Sequence, residues 1–264
     1  MFISLITPSY NHAEFIEQTI DSVLAQSGDF QLDYRVLDGG STDNTVNILQ
    51  AYGDRLRWTS QPDNGQVDAI NRGLQEATGD VVGWLNSDDI LLPGALAIVV
   101  EAFKSTQACA WVHGDCMVID RHGREIRRWV SAYKRFFARR YSRERLLARN
   151  FISQMTVFWR RELLDRIGYL DPDLPLAFDY EYWLRLSGIG PPVYVNRKLA
   201  AFRWYETSKS GANFRAQFEQ DEAAARRHGN LGRMARINKK VQNRMTVGIY
   251  HSLAATRRVR SRGE

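Results

Sequence analysis

Two adjacent carboxylates, Asp88 and Asp89, follow an apolar run over residues 81–85. Side by side they repel each other unless something positive joins them. A hard divalent cation, Mn2+ or Mg2+, would do so. Magnesium takes one or two protein carboxylates and completes its shell with phosphate oxygens and water. The pair could equally be solvated and cap the helix that Pro93 begins, because Asp is common at strand ends and helix starts. Asp38 follows another apolar run and could accept hydrogen bonds from a nucleobase or a ribose hydroxyl. Asp43, in Ser41-Thr42-Asp43, reads better as a cap for the next helix. Asp68, near a helix start, could bind ligand or merely favour the helix dipole. Gly39 and Gly40 point to a turn that needs positive φ or close approach of the chain.

The elements that must position these groups are legible from periodicity. Residues 2–7 read as a short buried strand stopped by Pro8. Asn11 is placed to cap a helix, with Glu14 at the capping-box position and Ile16, Ile20, Val23 and Leu24 on one face. Strands are expected at 34–37, 56–59 and 81–85, with a helix at 42–51 and another carrying Val67, Ile70 and Leu74. Strand and helix thus alternate with short connections, which implies a parallel sheet wound with helices. In such a sheet ligands bind at the carboxyl ends of strands. The polar clusters 7–11, 38–43, 61–68 and 86–89 should therefore meet at one edge. The second half is less regular. Strands are expected at 110–113, 116–119, 156–159 and 193–202, and helices at 142–149, 160–167 and 179–186. His122-Gly123 reads as a hairpin turn, with 125–130 continuing a mixed sheet.

Composition narrows the class. The chain has 264 residues, 44% of them hydrophobic, enough for one large domain with a substantial core. Cys109 and Cys116 have no Cys/His cluster around them and read as reduced, buried thiols, which points to a reducing compartment. The start lacks a signal-peptide pattern, and no run of about 18 apolar residues exists. The expected location is cytoplasmic, at the inner face of the membrane if the basic C-terminus binds lipid. Residues 231–264 hold nine Lys/Arg against one acid, and residues 121–145 hold ten against two. The basic tail interleaves with apolar residues and could lie on anionic lipid as a peripheral contact, or be a solvated terminal helix. Nucleic acid is not expected as a partner, since the charge is confined to two regions and no recognised motif accompanies it.

Four stretches in order carry a resemblance. They are Thr7-Pro8-Ser9-Tyr10-Asn11, Val36-Leu37-Asp38-Gly39-Gly40-Ser41-Thr42-Asp43, Gln61-Pro62-Asp63-Asn64-Gly65 and Gly83-Trp84-Leu85-Asn86-Ser87-Asp88-Asp89. Together they resemble successive signatures of family 2 glycosyltransferases with the GT-A fold, over about residues 1–205. The resemblance implies an α/β fold: a Rossmann-like sheet of mainly parallel strands flanked by helices, a mixed acceptor-side half, and a helical C-terminal extension. The corresponding spans are 1–105, a nucleotide-sugar-binding half; 106–210, an acceptor-binding and catalytic half of the same domain; and 211–264, a basic helical extension. It further implies an inverting transfer from a nucleotide-diphosphate sugar, with UDP or dTDP as the expected base, to a glycan or lipid-linked glycan.

By the same resemblance Thr7, Pro8 and Tyr10 line the nucleotide pocket, Asp38 meets the base or ribose, and Gln66 and Asp68 lie beside the donor. Asp88 and Asp89 match the DxD-type element that meets ribose and a Mn2+ or Mg2+ ion on the diphosphate. Phe178-Asp179-Tyr180-Glu181-Tyr182-Trp183 resembles the family's base motif, with Asp179 as the proton acceptor. Asp179 could also serve as a helix cap. Glu181 is a second choice, Trp183 a core residue or a wall of the acceptor site, and Gln154 a candidate acceptor contact. Four positions depart from the family pattern. Asn86 replaces a common first Asp, Gly39 a frequent second Asp, Ile70 a frequent Arg, and Tyr205 a His found in many relatives. Arg203 or Lys209 could supply compensating positive charge to the diphosphate. The rival readings are a nucleotidyltransferase, for which Thr7-Pro8-Ser9-Tyr10 offers no Gly- and basic-rich phosphate loop, and a non-enzymatic basic protein that binds nucleic acid or membrane.

Overall fold

β1 (Phe2–Ser9) is buried along nearly its whole length, as an apolar run covered on both sheet faces must be. It pairs in parallel with β2 (Gln31–Asp38) on one side and β4 (Val81–Trp84) on the other, and β2 pairs in parallel with β3 (Arg57–Ser60). Helices α1 (Ile16–Leu24), α2 (Thr45–Ala51) and α3 (Gln66–Glu76) make the crossovers. After the two-residue β5 (Ile90–Leu91) comes α4 (Ala95–Ser105). The register sets Ser9 beside Asp38, and Asp38 beside Ser60, so the carboxyl ends of these strands form one edge. These facts come from a computed structural model, which describes residues 1–106, 108–206, 208 and 214–229. Lys209 and the basic tail 231–264, with the diphosphate and membrane expectations attached to them, lie outside the described residues.

The sheet continues as β3-β2-β1-β4-β8-β6-β9-β5, with β7 on the side of β6. Here β6 is Trp111–Ile119, β7 Glu125–Ile126, β8 Phe158–Arg160 and β9 Val193–Arg203. β8 runs antiparallel to both β4 and β6, so the second half of the sheet is mixed. The remaining helices are α5 (Arg128–Ala138), α6 (Arg143–Ala148), the short α7 (Leu164–Ile167), α8 (Phe178–Ile189) and α9 (Phe214–His228). No helix among the described residues is long and apolar enough to cross a membrane.

Several local expectations need correction. α1 starts at Ile16 with Phe15 at its N-cap, so Asn11 does not cap it. Asn11 instead sits at φ 53 and accepts hydrogen bonds from the Thr42 and Asp43 N–H groups at 2.8 and 3.3 Å. Asn tolerates that left-handed conformation, and its carboxamide ties the loop after β1 to the turn after β2. Glu14 pairs with Arg121. The two expected strands at 110–113 and 116–119 are one strand, with a register shift against β9 around Asp115. A side chain at Gly114 would come within 2.6 Å of Leu199, so only glycine allows that approach. Residues 125–130 do not extend the sheet beyond Ile126. Arg127 turns the chain at φ 51 and α5 begins.

Apolar side chains fill both sides of the sheet. One cluster joins α1, α2 and α4 to it, and the other joins α3, α6, α8 and α9. The second contains four fully buried tryptophans. Trp183 of α8 stacks on Trp84 of β4 and on Trp111 of β6, with centroids 5.4 and 6.5 Å apart, and meets Trp159 edge-on. Such aromatic contacts add to a large buried area and fix the rotation of α8 about its axis. That rotation decides where the first turn of α8, carrying Asp179, faces.

Candidate active site

A cleft of about 1360 Å3 opens along the carboxyl ends of β1, β2 and β4 and runs across the sheet to α5, α8 and α9. Among the expected residues it brings together Pro8, Tyr10, Gln66, Asp88, Gln154 and Asp179. Asp88 comes from the end of the parallel half, and Asp179 from the far wall. Asp179 accepts a hydrogen bond from the Tyr180 N–H at 2.7 Å, while the N-cap of α8 is Ala177.

The cleft floor is a chain of amides. Gln66 Nε2 donates to Asn86 Oδ1 at 2.8 Å. Asn86 Nδ2 donates to Asp89 Oδ2 at 3.0 Å and to Gln154 Oε1 at 3.2 Å. Gln154 Nε2 donates to the Trp84 carbonyl at 2.7 Å. Asn86 therefore does what an Asp there could not, donating to two acceptors while accepting from a third group. An acid at this place would also add a third carboxylate beside Asp88 and Asp89.

The two acids of the DxD-type element have different surroundings. Asp88 lines the cleft, and its Oδ2 accepts from the Tyr205 hydroxyl at 2.9 Å. Burial, then the Asp88 charge, push the Tyr205 phenol up, so it stays a donor. Asp89 is fully buried beneath the floor. It accepts from the Arg203 N–H at 2.9 Å and from Asn86. Burial, and next the charge of Asp88, push the Asp89 carboxyl well above the usual carboxylate range. Asp89 is thus held inward by protein donors and does not line the cleft. Among the described residues no group of three or more His, Cys, Asp or Glu could enclose a metal. The donor set still fits a diphosphate-borne Mn2+ or Mg2+ ion, because such an ion needs as few as one protein carboxylate, and Asp88 offers it.

The geometry redirects other expected residues. Thr7 is buried, its hydroxyl within 3.0 Å of the Tyr34 hydroxyl. The Asp38 carboxylate is also buried and accepts from the Gly40 and Ser41 N–H groups and from the Ser41 and Ser60 hydroxyls. It shapes the turn and does not line the cleft. Asp68 accepts from the Asn64 N–H at 3.1 Å. Glu181 is buried between Arg185 at 2.7 Å and His228 at 2.6 Å, and Trp183 is core. Neither lines the cleft. Arg203 is buried, with Nε on the Asp88 carbonyl at 2.9 Å, Nη2 on Gln18 at 2.8 Å and Nη1 on the Asp120 and Arg121 carbonyls. Its guanidinium holds the loop carrying Asp88 and does not line the cleft.

Other cleft residues were not expected. A Cβ on Gly39 would lie 2.8 Å from Asp63 Oδ2, so the Asp63 carboxylate fills the space that a side chain at position 39 would take. The Gly65 N–H at 2.8 Å and Arg72 at 3.8 Å hold it there. Gly39 was the signal that could have pointed to it. His12 joins Ser87 through Nδ1 and also lines the cleft. Trp129 and Lys134 of α5 and Arg149, just after α6, line the far wall, and the first two were not expected because α5 was not. Burial pulls the Lys134 ammonium down, opposed by the charges of Cys116, Asp179 and Asp221.

Comparison with known proteins agrees with this architecture. Solved structures with the same fold include a Pyrobaculum calidifontis mannosyltransferase in complex with GDP-Man and Mn2+, at TM-score 0.66 and 19% identity, covering 96% of this chain and 74% of that one. Staphylococcus aureus TarS residues 1–349 in complex with UDP-GlcNAc gives TM-score 0.64 and 18% identity, covering 88% and 68%. An uncharacterized glycosyltransferase of Mycobacterium tuberculosis is 31% identical over 206 residues, 76% of this chain and 74% of that protein. A chondroitin synthase of Escherichia coli is 31% identical over 198 residues, 74% of this chain, but the match spans only 28% of that protein. The model of the glycosyl transferase family 2 matches residues 4–168, from β1 through the DxD-type loop and Gln154 to the end of α7. That span is more than half of the chain and takes in β2, β3, β4 and most of β1, so the chain belongs to glycosyl transferase family 2.

Proposed function

We propose that the chain transfers a sugar from a nucleotide diphosphate to a hydroxyl of a glycan or lipid-linked glycan, with inversion. The observation that carries this reading is that Asp88, after β4, and Asp179, in the first turn of α8, line one cleft. The donor lies at the parallel half, with its base against Tyr10 and near Asp63, and its diphosphate toward Asp88. UDP and dTDP are the expected bases, and the GDP-Man complex of a structural relative adds GDP to those worth testing. The acceptor enters from the side of α5 and α8. Asp179 takes the proton from the acceptor hydroxyl as its oxygen bonds to C1, and the C1–O bond to the diphosphate breaks in the same displacement. One base and no enzyme nucleophile give inversion. A Mn2+ or Mg2+ ion on the diphosphate, anchored by Asp88, would neutralise charge on the leaving group. The Tyr205 hydroxyl on the Asp88 carboxylate and the Arg203 guanidinium on the Asp88 carbonyl fix Asp88 and its loop for that task.

A thermal-shift screen of UDP, dTDP, GDP and CMP, each with Mn2+, Mg2+ or EDTA, tests the donor half of the proposal. A ligand that binds only the folded chain raises Tm. One nucleoside diphosphate should stabilise the protein with metal and lose most of that effect in EDTA. If all four leave Tm unchanged under every condition, the cleft does not hold a donor.

A further inference from the structure

Five large hydrophobic side chains stand out as exposed among the described residues, and three of them, Trp129, Tyr133 and Phe136, are on α5. Their spacing, i, i+4 and i+7, sets them in one stripe along the helix. The stripe spans about 10 Å at the usual helical rise. It starts in the cleft, where Trp129 and Tyr133 form part of the wall that also carries Asp179, and leaves the cleft at Phe136. An aromatic ring offers a flat, rigid face at low entropic cost, and the C–H face of a pyranose lies well on such a surface.

Cations flank this stripe in a selective way. Arg128 and Arg135 of the same helix are neutralised by Glu125 at 3.1 Å and Asp115 at 2.8 Å. Arg149 and Arg140 have no carboxylate partner among the described residues. Arg149 donates to the Tyr133 hydroxyl at 3.2 Å and covers the Phe137 ring at 4.2 Å, while Arg140 lies 4.3 Å from the centroid of Phe136. Both guanidinium groups are therefore set against the stripe with bonding capacity left over. Guanidinium forks match carboxylate and phosphate oxygens.

We propose that α5 is an acceptor track for an extended anionic glycan. Its sugar rings stack on Trp129, Tyr133 and Phe136, its carboxylates or phosphates meet Arg149 and Arg140, and its terminal hydroxyl reaches Asp179. This rests on the transfer reading of the cleft. An anionic lipid surface could also attract exposed aromatics and arginines. The continuity of the stripe with the interior of the cleft favours a ligand that threads into it.

The test is calorimetric titration of the full chain with three oligomers of equal length. These are a uronate-containing hexasaccharide, its carboxyl-reduced neutral form, and a sugar-phosphate oligomer. The wild type should bind at least one charged oligomer about tenfold more tightly than the neutral one. Which charged oligomer is preferred tells carboxylate from phosphate. Arg149→Gln combined with Arg140→Gln should abolish that preference and leave neutral binding intact. Trp129→Ala should weaken all three. Neither change should alter affinity for the nucleoside diphosphate that raises Tm. Absence of binding to both charged oligomers, equal binding of charged and neutral forms, or a preference that survives the double substitution would overturn the track. So would a double variant that loses nucleotide affinity, since its arginines would then serve the donor. Pelleting with anionic phospholipid vesicles that depends on Trp129, with no oligomer bound, would assign the stripe to membrane instead. If charged oligomers bind as described but no nucleotide sugar binds or is consumed, anionic-glycan binding along α5 stands, while the transfer reading and with it the acceptor role fail.

Discussion

Asn86 shows how a single atom type decides the local chemistry. Its amide donates to Asp89 and Gln154 and its carbonyl accepts from Gln66, so it keeps the cleft floor in register. Asn86→Asp would restore the acid common at this position in the family, yet leave two acceptor oxygens facing a third carboxylate. The expected cost is about 1–3 kcal/mol, the range for leaving a buried polar group unsatisfied. It would read as a lower Tm in the absence of metal, and an unchanged Tm would show that the amide chain is not under constraint. Gly39 makes the complementary case. Gly39→Ala puts a methyl 2.8 Å from the end of the Asp63 side chain, which can swing away. The fold should tolerate the change, with Tm nearly constant, while affinity for the stabilising nucleoside diphosphate falls several-fold. A large drop in Tm with affinity intact would mean that Asp63 supports the fold and not the ligand. Motif position places Asp88, Tyr10, Gln66, Gln154 and Asp179 along one cleft, and the structure does bring them together there. It turns Asp38, Asp89 and Arg203 inward, because a motif shows which residues stand at a strand end and not which of them satisfy a loop.

At the scale of elements, α8 and α9 act as a unit. α8 is locked to the sheet by the Trp183 stack, and α9 is tied to it through Glu181. Burial tends to raise the Glu181 carboxyl, but hydrogen bonds from His228 and Arg185 outweigh it and hold the group below the usual glutamate range. A carboxylate with a depressed folded value contributes stability that is present above its unfolded value and is lost as pH falls through the folded one. Acid should therefore release α9 before the parallel strands open. Hydrogen exchange would show amides of 214–228 losing protection as pH drops below the ordinary glutamate range, with β1 and β4 still protected. In Glu181→Gln that pH step should vanish, with α9 less protected at neutral pH. A wild type in which α9 and β1 lose protection together would contradict the tie. The alternation of β1 to β4 with their helices was readable from period and turn residues. α5 was not, because its aromatic positions Trp129, Tyr133 and Phe136 are exposed, so their periodicity answers to a surface and not to the core.

Across the whole molecule, the sheet places groups from distant stretches of chain around one space. The parallel half contributes the loops after β1, β2 and β4, and the mixed half contributes Gln154, Asp179 and the basic wall of α5. The order β3-β2-β1-β4-β8-β6-β9-β5 could not be read from sequence, because β8 inserts between β4 and β6 after a separation of about 40 residues. That insertion brings Gln154 under Asn86. The central claim is that Asp179 acts as the base for a displacement whose donor lies at Asp88. The most direct measurement is release of nucleoside diphosphate by the wild type and by Asp179→Asn, using the donor whose diphosphate raises Tm and a pool of glycan acceptors. The variant should show the same nucleotide-induced thermal shift as the wild type, with the rate of release lower by about 10²–10⁴-fold, the usual share of a general base. A variant that shows the same shift and releases diphosphate within a few-fold of the wild-type rate would contradict the account.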